Sequence, residues 1–380
     1  MSWDTVKFGD LYSSESRNGL TKPSRVRGSG YKMINMGELF AYDRIYDIPM
    51  ELVPLKESEK VNAKVESGDL LFARQSLVLE GAGKCSIVME VSPLTVFESH
   101  LIRVRLDKTR ALPMFYYYYF KSPLSPMKSI VSQCAQAGIR GSDLQELQVI
   151  LPPLEKQQRV VDVISAYDDL IENNQKQIKL LEEAAHRLYK EWFVDLHFPG
   201  YENTPIVDGV PEGWTHAVVT DLLDIKYGKD HKSLPDGDIP VYGSGGMMRK
   251  VNKILHSGES VLIPRKGSLN NILLVSGDFW TIDTMFFSIP KQENIAKYVY
   301  LFLSGVDMYA MNIGAAVPSM TVKILSGMKL RCPSAEILVQ FEKVVDPYFS
   351  MIELLKKQNE SLSEARDMLL PKLMNGELEV

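Results

Sequence analysis

The chain has 380 residues, 45% of them hydrophobic and 24% charged, with a formal net charge of −5. These are globular values with enough apolar material for two or three domains. They exclude a low-complexity or strongly basic chain, and leave room for a local basic patch. Cys85, Cys134 and Cys332 lie far apart with no CxxC pair, MSWDTVKFGD has no apolar signal core, and no run approaches 18 apolar residues. The expectation is a cytoplasmic protein without a disulfide framework, zinc site or membrane span.

In chain order, residues 1–152 read as a first globular segment. Its apolar runs are short and broken by Gly and Pro. Asp69 to Ala73 and Leu101 to Leu106 read as strands. Residues 153–195 read as a long helix, opened by Pro152-Pro153 and stopped by Phe198-Pro199-Gly200. Its apolar ladder is Val160, Ile164, Tyr167, Ile171, Asn174, Ile178, Leu181, Ala185, Leu188, Trp192. The steps alternate four and three, which is a heptad seam. Residues 196–331 form a second globular segment, with a strand at Val261-Leu262-Ile263. Residues 332–380 form a second long helix, opened at Cys332-Pro333 and closed at Asn375-Gly376.

The second ladder is Phe341, Val345, Tyr348, Ile352, Leu355, Asn359, Leu362, Arg366, Leu369, Leu373, 181 residues after the first at every rung. The globular segments repeat too. WDTVKFGDL (Trp3 to Leu11) matches WTHAVVTDL (Trp214 to Leu222), and ESGDLLFAR (Glu66 to Arg74) matches HSGESVLIPR (His256 to Arg265). FYYYYF (Phe115 to Phe120) matches YVYLF (Tyr298 to Phe302) and reads as a packing element in both copies. Four matched landmarks in one order imply an internal duplication. The fold expected is α+β: two globular domains separated by two long helices that form an antiparallel coiled coil, with a pseudo-twofold repeat.

Polar rungs set the expected register. A parallel pair would bury Asn174 and Asn359 each against an aliphatic residue, at about 1–3 kcal/mol apiece. An antiparallel pair with Asn174 opposite Asn359 also sets Val160 against Leu373 and Trp192 against Phe341. Pro347 inside the second ladder is expected to kink it or break its first turn. Arg366 would face Tyr167 and need to reach solvent. The seam spans about 48 Å at 1.5 Å per residue, or about 14 base pairs of B-DNA.

No phosphate loop, H-E-x-x-H or G-x-S-x-G motif is present. Asp346-Pro347-Tyr348-Phe349 resembles a D-P-P-Y methyltransferase loop, but its residues are ladder rungs. Gly243 to Gly246 lacks dinucleotide-loop spacing. Cations, amides and hydroxyls gather instead in loops. Arg25, Arg27, Arg74, Gln75, Ser76 and Arg140 do so in the first segment, and Tyr242, Ser244, Arg265, Lys266, Ser268 and Asn270 in the second. Such residues suit phosphates and base edges. Arg74-Gln75-Ser76 and the run from Arg265 follow the same repeated strand and differ in residue type, as two readers of different half-sites would.

Leu151-Pro-Pro-Leu-Glu-Lys-Gln-Gln-Arg159, Leu181 to Phe193, Leu369 to Gly376, Ser67 to Arg74 and Pro240 to Gly246 together resemble the specificity subunit of a type I restriction–modification system. The resemblance spans essentially the whole chain. It implies two target-recognition domains, each reading half of a split site in double-stranded DNA, separated by antiparallel helices. It implies docking of two methyltransferase subunits and association with restriction subunits. The chain itself would be non-catalytic and carry no cofactor; S-adenosylmethionine, ATP and magnesium would belong to the partners. The rival expectation is a coiled-coil protein scaffold without DNA readout.

Overall fold

A computed structural model describes residues 3–133, 137–312 and 318–378; Cys134 lies outside them. The chain divides into two compact units, residues 1–173 with 358–380, and residues 174–357. The two long helices are Leu154–Tyr189 and Ala335–Met374. Each unit takes one half of each helix together with one globular domain.

In the first unit, Val160 and Ile164 of the first helix share a core with Leu370, Leu373 and Met374 of the second. In the second unit, Ala185 and Trp192 share a core with Phe341 and Val345, and the Trp192 and Phe341 rings lie 5.7 Å apart. Residue numbers rise along one helix as they fall along the other, so the helices run antiparallel within each unit. Asn174 belongs to the second unit and Asn359 to the first, and their pairing stays an expectation.

One expectation about the second helix is corrected and another narrowed. It runs unbroken through Pro347. The missing N–H costs roughly 3 kcal/mol, and the buried rungs on both sides, Phe341, Val345 and Ile352, offset it. Arg366 does not rely on solvent. Its guanidinium donates to Asp168 Oδ1 at 2.6 Å, and Tyr118 Oη donates to Asp168 Oδ2 at 2.9 Å. Gly376 ends the helix with φ +74°.

The globular domains share one plan. In the first, a central sheet runs Tyr12–Asn18, Leu101–Leu106, Leu70–Ala73, Cys85–Val88 and Arg44–Ile45. In the second, it runs Leu223–Tyr227, Met285–Pro290, Ser260–Pro264 and Leu273–Val275. Leu70–Ala73 and Ser260–Pro264 are buried throughout. They read as continuous apolar runs because both faces are covered, by the helices Pro113–Lys121 and Ala296–Ser304 on one side and a smaller sheet on the other. The tyrosine run is packing: Tyr116, Tyr117 and Tyr118 are buried, and Tyr116 Oη donates to the Ile150 carbonyl at 2.8 Å. Tyr298 Oη donates to the Arg331 carbonyl in the same way. The strands Asp4–Lys7 and Gln148–Leu151 pair beside the helices, as Thr215–Val218 and Lys329–Cys332 do.

Buried charges fix each domain to its helix halves. In the first unit Arg44, almost fully buried, donates to Asp169 at 2.7 Å and Glu172 at 2.5 Å on the first helix. In the second, Lys297 meets Glu342 and, at 3.1 Å, Asp346 of the second helix, with Glu259 at 3.0 Å. Burial alone would lower the Lys297 pKa; hydrogen bonding to Glu342 and the Glu259 charge outweigh it and raise it.

Asp168→Ala leaves both Arg366 and Tyr118 short of a buried partner, and is expected to cost about 2–4 kcal/mol in urea unfolding. Asp346→Ala, at a carboxylate 55% exposed, is expected to cost no more than about 1 kcal/mol. His186 in the second unit has its pKa lowered by burial, against the pull of Glu182. The unfolded imidazole protonates near pH ~6.5 while the folded one resists. Its contribution is therefore complete above that pH and is lost as pH falls below it. Replacing His186 by Leu is expected to flatten this part of the stability–pH curve, measured by unfolding midpoints between about pH 5 and 8.

Candidate nucleic-acid interface

In both domains a loop leaves the end of the buried central strand. In the first, Arg74 follows Leu70–Ala73. Its N–H donates to the His100 carbonyl at 2.8 Å, and its carbonyl accepts from Ile139 N at 3.0 Å. In the second, Arg265 follows the same strand. Its N–H donates to the Thr284 carbonyl at 2.8 Å, and its carbonyl accepts from Met320 N at 2.9 Å. His100 and Thr284 each precede the next strand of the sheet, and Met320 lies 181 residues after Ile139. The two arginines thus hold one backbone position of the repeat.

The side chains on this frame differ. In the first domain Gln75–Ser76 forms a short strand against Ala137–Gly138. This brings Arg74, Gln75, Ser76 and Arg140 into one group, with Arg140 exposed. Ser76 Oγ accepts from Val78 N at 3.2 Å. A cleft of about 360 Å³ opens here, lined by Met36, Phe40, Gln75, Ser76, Leu77 and His100. Arg25 is exposed on the separate turn Ser24–Val26. Arg27 is already engaged: it donates to Glu51 at 2.6 Å and to the Lys22 carbonyl at 2.7 Å.

In the second domain Arg265 is a loop support. Its guanidinium sits 4.8 Å from the Tyr227 ring centre and 5.3 Å from that of Phe286, and donates to the Asp283 carbonyl at 2.7 Å. Asn270 is a support too: its amide donates to Asp307 at 3.2 Å and accepts from Met308 N at 2.8 Å. Tyr309 Oη donates to the Gly267 carbonyl at 2.8 Å, and Asn271 donates to the Ser244 carbonyl at 2.9 Å. Tyr242 packs against the core around Leu262 and Phe279. Lys266 and Ser268 remain on the surface, with Ser244 at the neighbouring hairpin turn between Ile239–Gly243 and Gly246–Val251. Gly243 to Gly246 is therefore a tight turn.

Sequence reasoning missed the aromatic supports Tyr227 and Tyr309, and the exposed apolar residues beside each loop, Leu77 to Leu79 and Met247-Met248. A short apolar run carries no sign of whether it is buried or exposed. Among the described residues no group of three or more His, Cys, Asp or Glu could hold a metal ion, and no helix is long and apolar enough to cross a membrane.

The type I restriction modification DNA specificity domain model matches residues 1–183 and 211–364. The type I restriction enzyme MjaIX specificity subunit of Methanocaldococcus jannaschii is 25% identical over 418 residues, covering 100% of this chain and 94% of that protein. The type I restriction enzyme EcoKI specificity subunit of Escherichia coli (strain K12) is 31% identical over 166 residues, covering 42% of this chain and 35% of that one. The crystal structure of a type I restriction–modification system S subunit from M. genitalium has the same fold, with a TM-score of 0.60 at 18% identity, covering 98% of this chain and 96% of that one. A duplicated α+β domain on antiparallel helices, loops of cations and hydroxyls at matched strand ends, and a family model matching both halves lead to one assignment: this chain belongs to the type I restriction–modification DNA specificity family.

Proposed function

We propose that this specificity subunit reads a bipartite site in double-stranded DNA, one half with each globular domain. In this reading the long helices set the gap between the half-sites and dock two methyltransferase subunits, with Asn174 opposite Asn359 fixing the register. The chain is the non-catalytic, cytoplasmic member of the complex. Methylation with S-adenosylmethionine, and cleavage with ATP and magnesium by restriction subunits, are the partners' work.

The carrying observation is the shared place of Arg74 and Arg265. The same two backbone hydrogen bonds hold both, while the residues around them differ: Gln75, Ser76 and Arg140 in one domain, Lys266, Ser268 and Ser244 in the other. A scaffold that binds only proteins has no need to keep a loop frame and change the residues on it. Lysine suits phosphates, and Gln, Arg and Ser suit base edges.

Methylome sequencing of a host with and without this gene tests the reading. A split adenine-methylated motif is expected to disappear with the gene; an unchanged methylome would contradict it. Within the complex, Lys266→Ala with Ser268→Ala is expected to leave the unfolding midpoint unchanged and to relax or weaken one half-site alone. It should also lower the slope of log affinity against log salt by about 1 if Lys266 meets a phosphate. Degeneracy at both halves would break the modular model.

A further inference from the structure

The apolar residues beside the reader loops are not absorbed by that reading. Leu77 is 89% and Val78 59% exposed, and Leu79 continues the run. Single exposed leucines are ordinary, but three consecutive exposed apolar residues at a loop tip mark a surface that something covers. Met247 and Met248 of the second domain, both more than half exposed, stand next to the Ser244 turn.

What covers Leu77 is narrowed by its surroundings. It closes the cleft with Met36 and Phe40, and the same cleft presents Gln75, Ser76 and His100. Arg74 and Arg140 flank the group. The cleft therefore combines an apolar wall, an amide and hydroxyl, and neighbouring cations. In the major groove an A·T pair presents adenine N7 and N6, which match a glutamine amide, beside thymine O4 and its C5-methyl, which needs an apolar contact. Gln75 and Leu77 lie two residues apart and line the same cleft, so one loop can meet both bases of the pair. A partner protein would match the apolar residues but has no particular use for the amide and flanking cations.

We infer that Leu77, with Val78, is a specificity-determining contact to the C5-methyl of a thymine in the half-site of the first domain, paired to an adenine read by Gln75; Met247 and Met248 offer the second domain the same contact. This rests on the domains reading DNA. It goes beyond that reading by naming the base pair and the group recognised.

The test uses the complex with its methyltransferase subunits and duplexes in which each thymine of the first half-site is replaced, one at a time, by uracil. Uracil keeps O4 and lacks only the methyl. At one position the wild-type complex is expected to lose about fourfold in affinity, the worth of one buried methyl. The Leu77→Ala complex is expected to bind the thymine and uracil duplexes alike there, while Leu77→Met keeps the discrimination. The inference is overturned by uracil being tolerated at every thymine, or by a half-site with no thymine on either strand. Undiminished discrimination in Leu77→Ala overturns it as well. So does failure of Leu77→Ala to assemble with its partner subunits, which would make the tip a protein contact. Binding by the wild-type complex that ignores sequence altogether would instead remove the underlying DNA-reading function.

Discussion

Each long helix carries an apolar stripe that water must not see, and covering that stripe organises both units. Neither helix could stand alone with residues such as Ile164, Ile171, Phe341, Val345 and Ile352 exposed; each side chain of this kind is worth about 1.5–3 kcal/mol when buried. Within each unit the cover comes from two sources. One is the antiparallel half of the other helix. The other is the core of a globular domain, whose aromatic helix packs on the same stripe. The domain is thereby part of the helix pair's own core. Arg44 to Asp169 and Glu172, Asp168 to Arg366 and Tyr118, and Lys297 to Glu342 then fix the angle of contact. Such buried pairs add little net stability against an apolar alternative, but a slipped arrangement would leave a charge uncompensated.

This division of labour explains how one frame can carry two different sets of reader residues. The strand before each reader loop is buried on both faces, and the arginine that follows is held by two backbone hydrogen bonds. Backbone bonds do not depend on side-chain identity. Several residues beyond the arginine can therefore differ without disturbing the frame, as Gln75 and Ser76 differ from Lys266 and Ser268.

Much of this was legible in the sequence because it rests on periodicity. The heptad ladders, their offset and the repeated strands follow from where apolar residues recur, and the antiparallel sense from the two polar rungs, Asn174 and Asn359. Periodicity could not show how buried polar groups find partners. Arg366 was expected to seek solvent, but it finds Asp168, a residue adjacent to a rung and invisible to the ladder. Pro347 was expected to kink the helix or break its first turn; the helix continues through it, with buried rungs on both sides. In the loops, residue type alone could not show which candidates also hold their loop. Arg265 and Asn270 have the chemistry of base readers and are also held by the ring faces of Tyr227 and Phe286 and by atoms of Asp307 and Met308.

The supports have a consequence for recognition. In each domain a serine proposed as a reader is seated on a glycine of its own neighbourhood. A Cβ at Gly81 would come within 2.2 Å of Ser76 Oγ, and one at Gly267 within 2.6 Å of Ser244 Oγ. Gly267 also needs the left-handed backbone, at φ +80°, which glycine adopts without strain. Asn271 and Tyr309 tie the loop of the second domain, and the Ser76–Val78 bond turns that of the first. A floppy loop would give up roughly 1–2 kcal/mol per residue on ordering, which over several residues rivals the discrimination of a single base contact, about 1–3 kcal/mol. A pre-formed loop avoids that penalty. On the proposed reading, selectivity then depends on which side chain stands at each fixed position, and the target would change by substitution without redesigning the fold beneath.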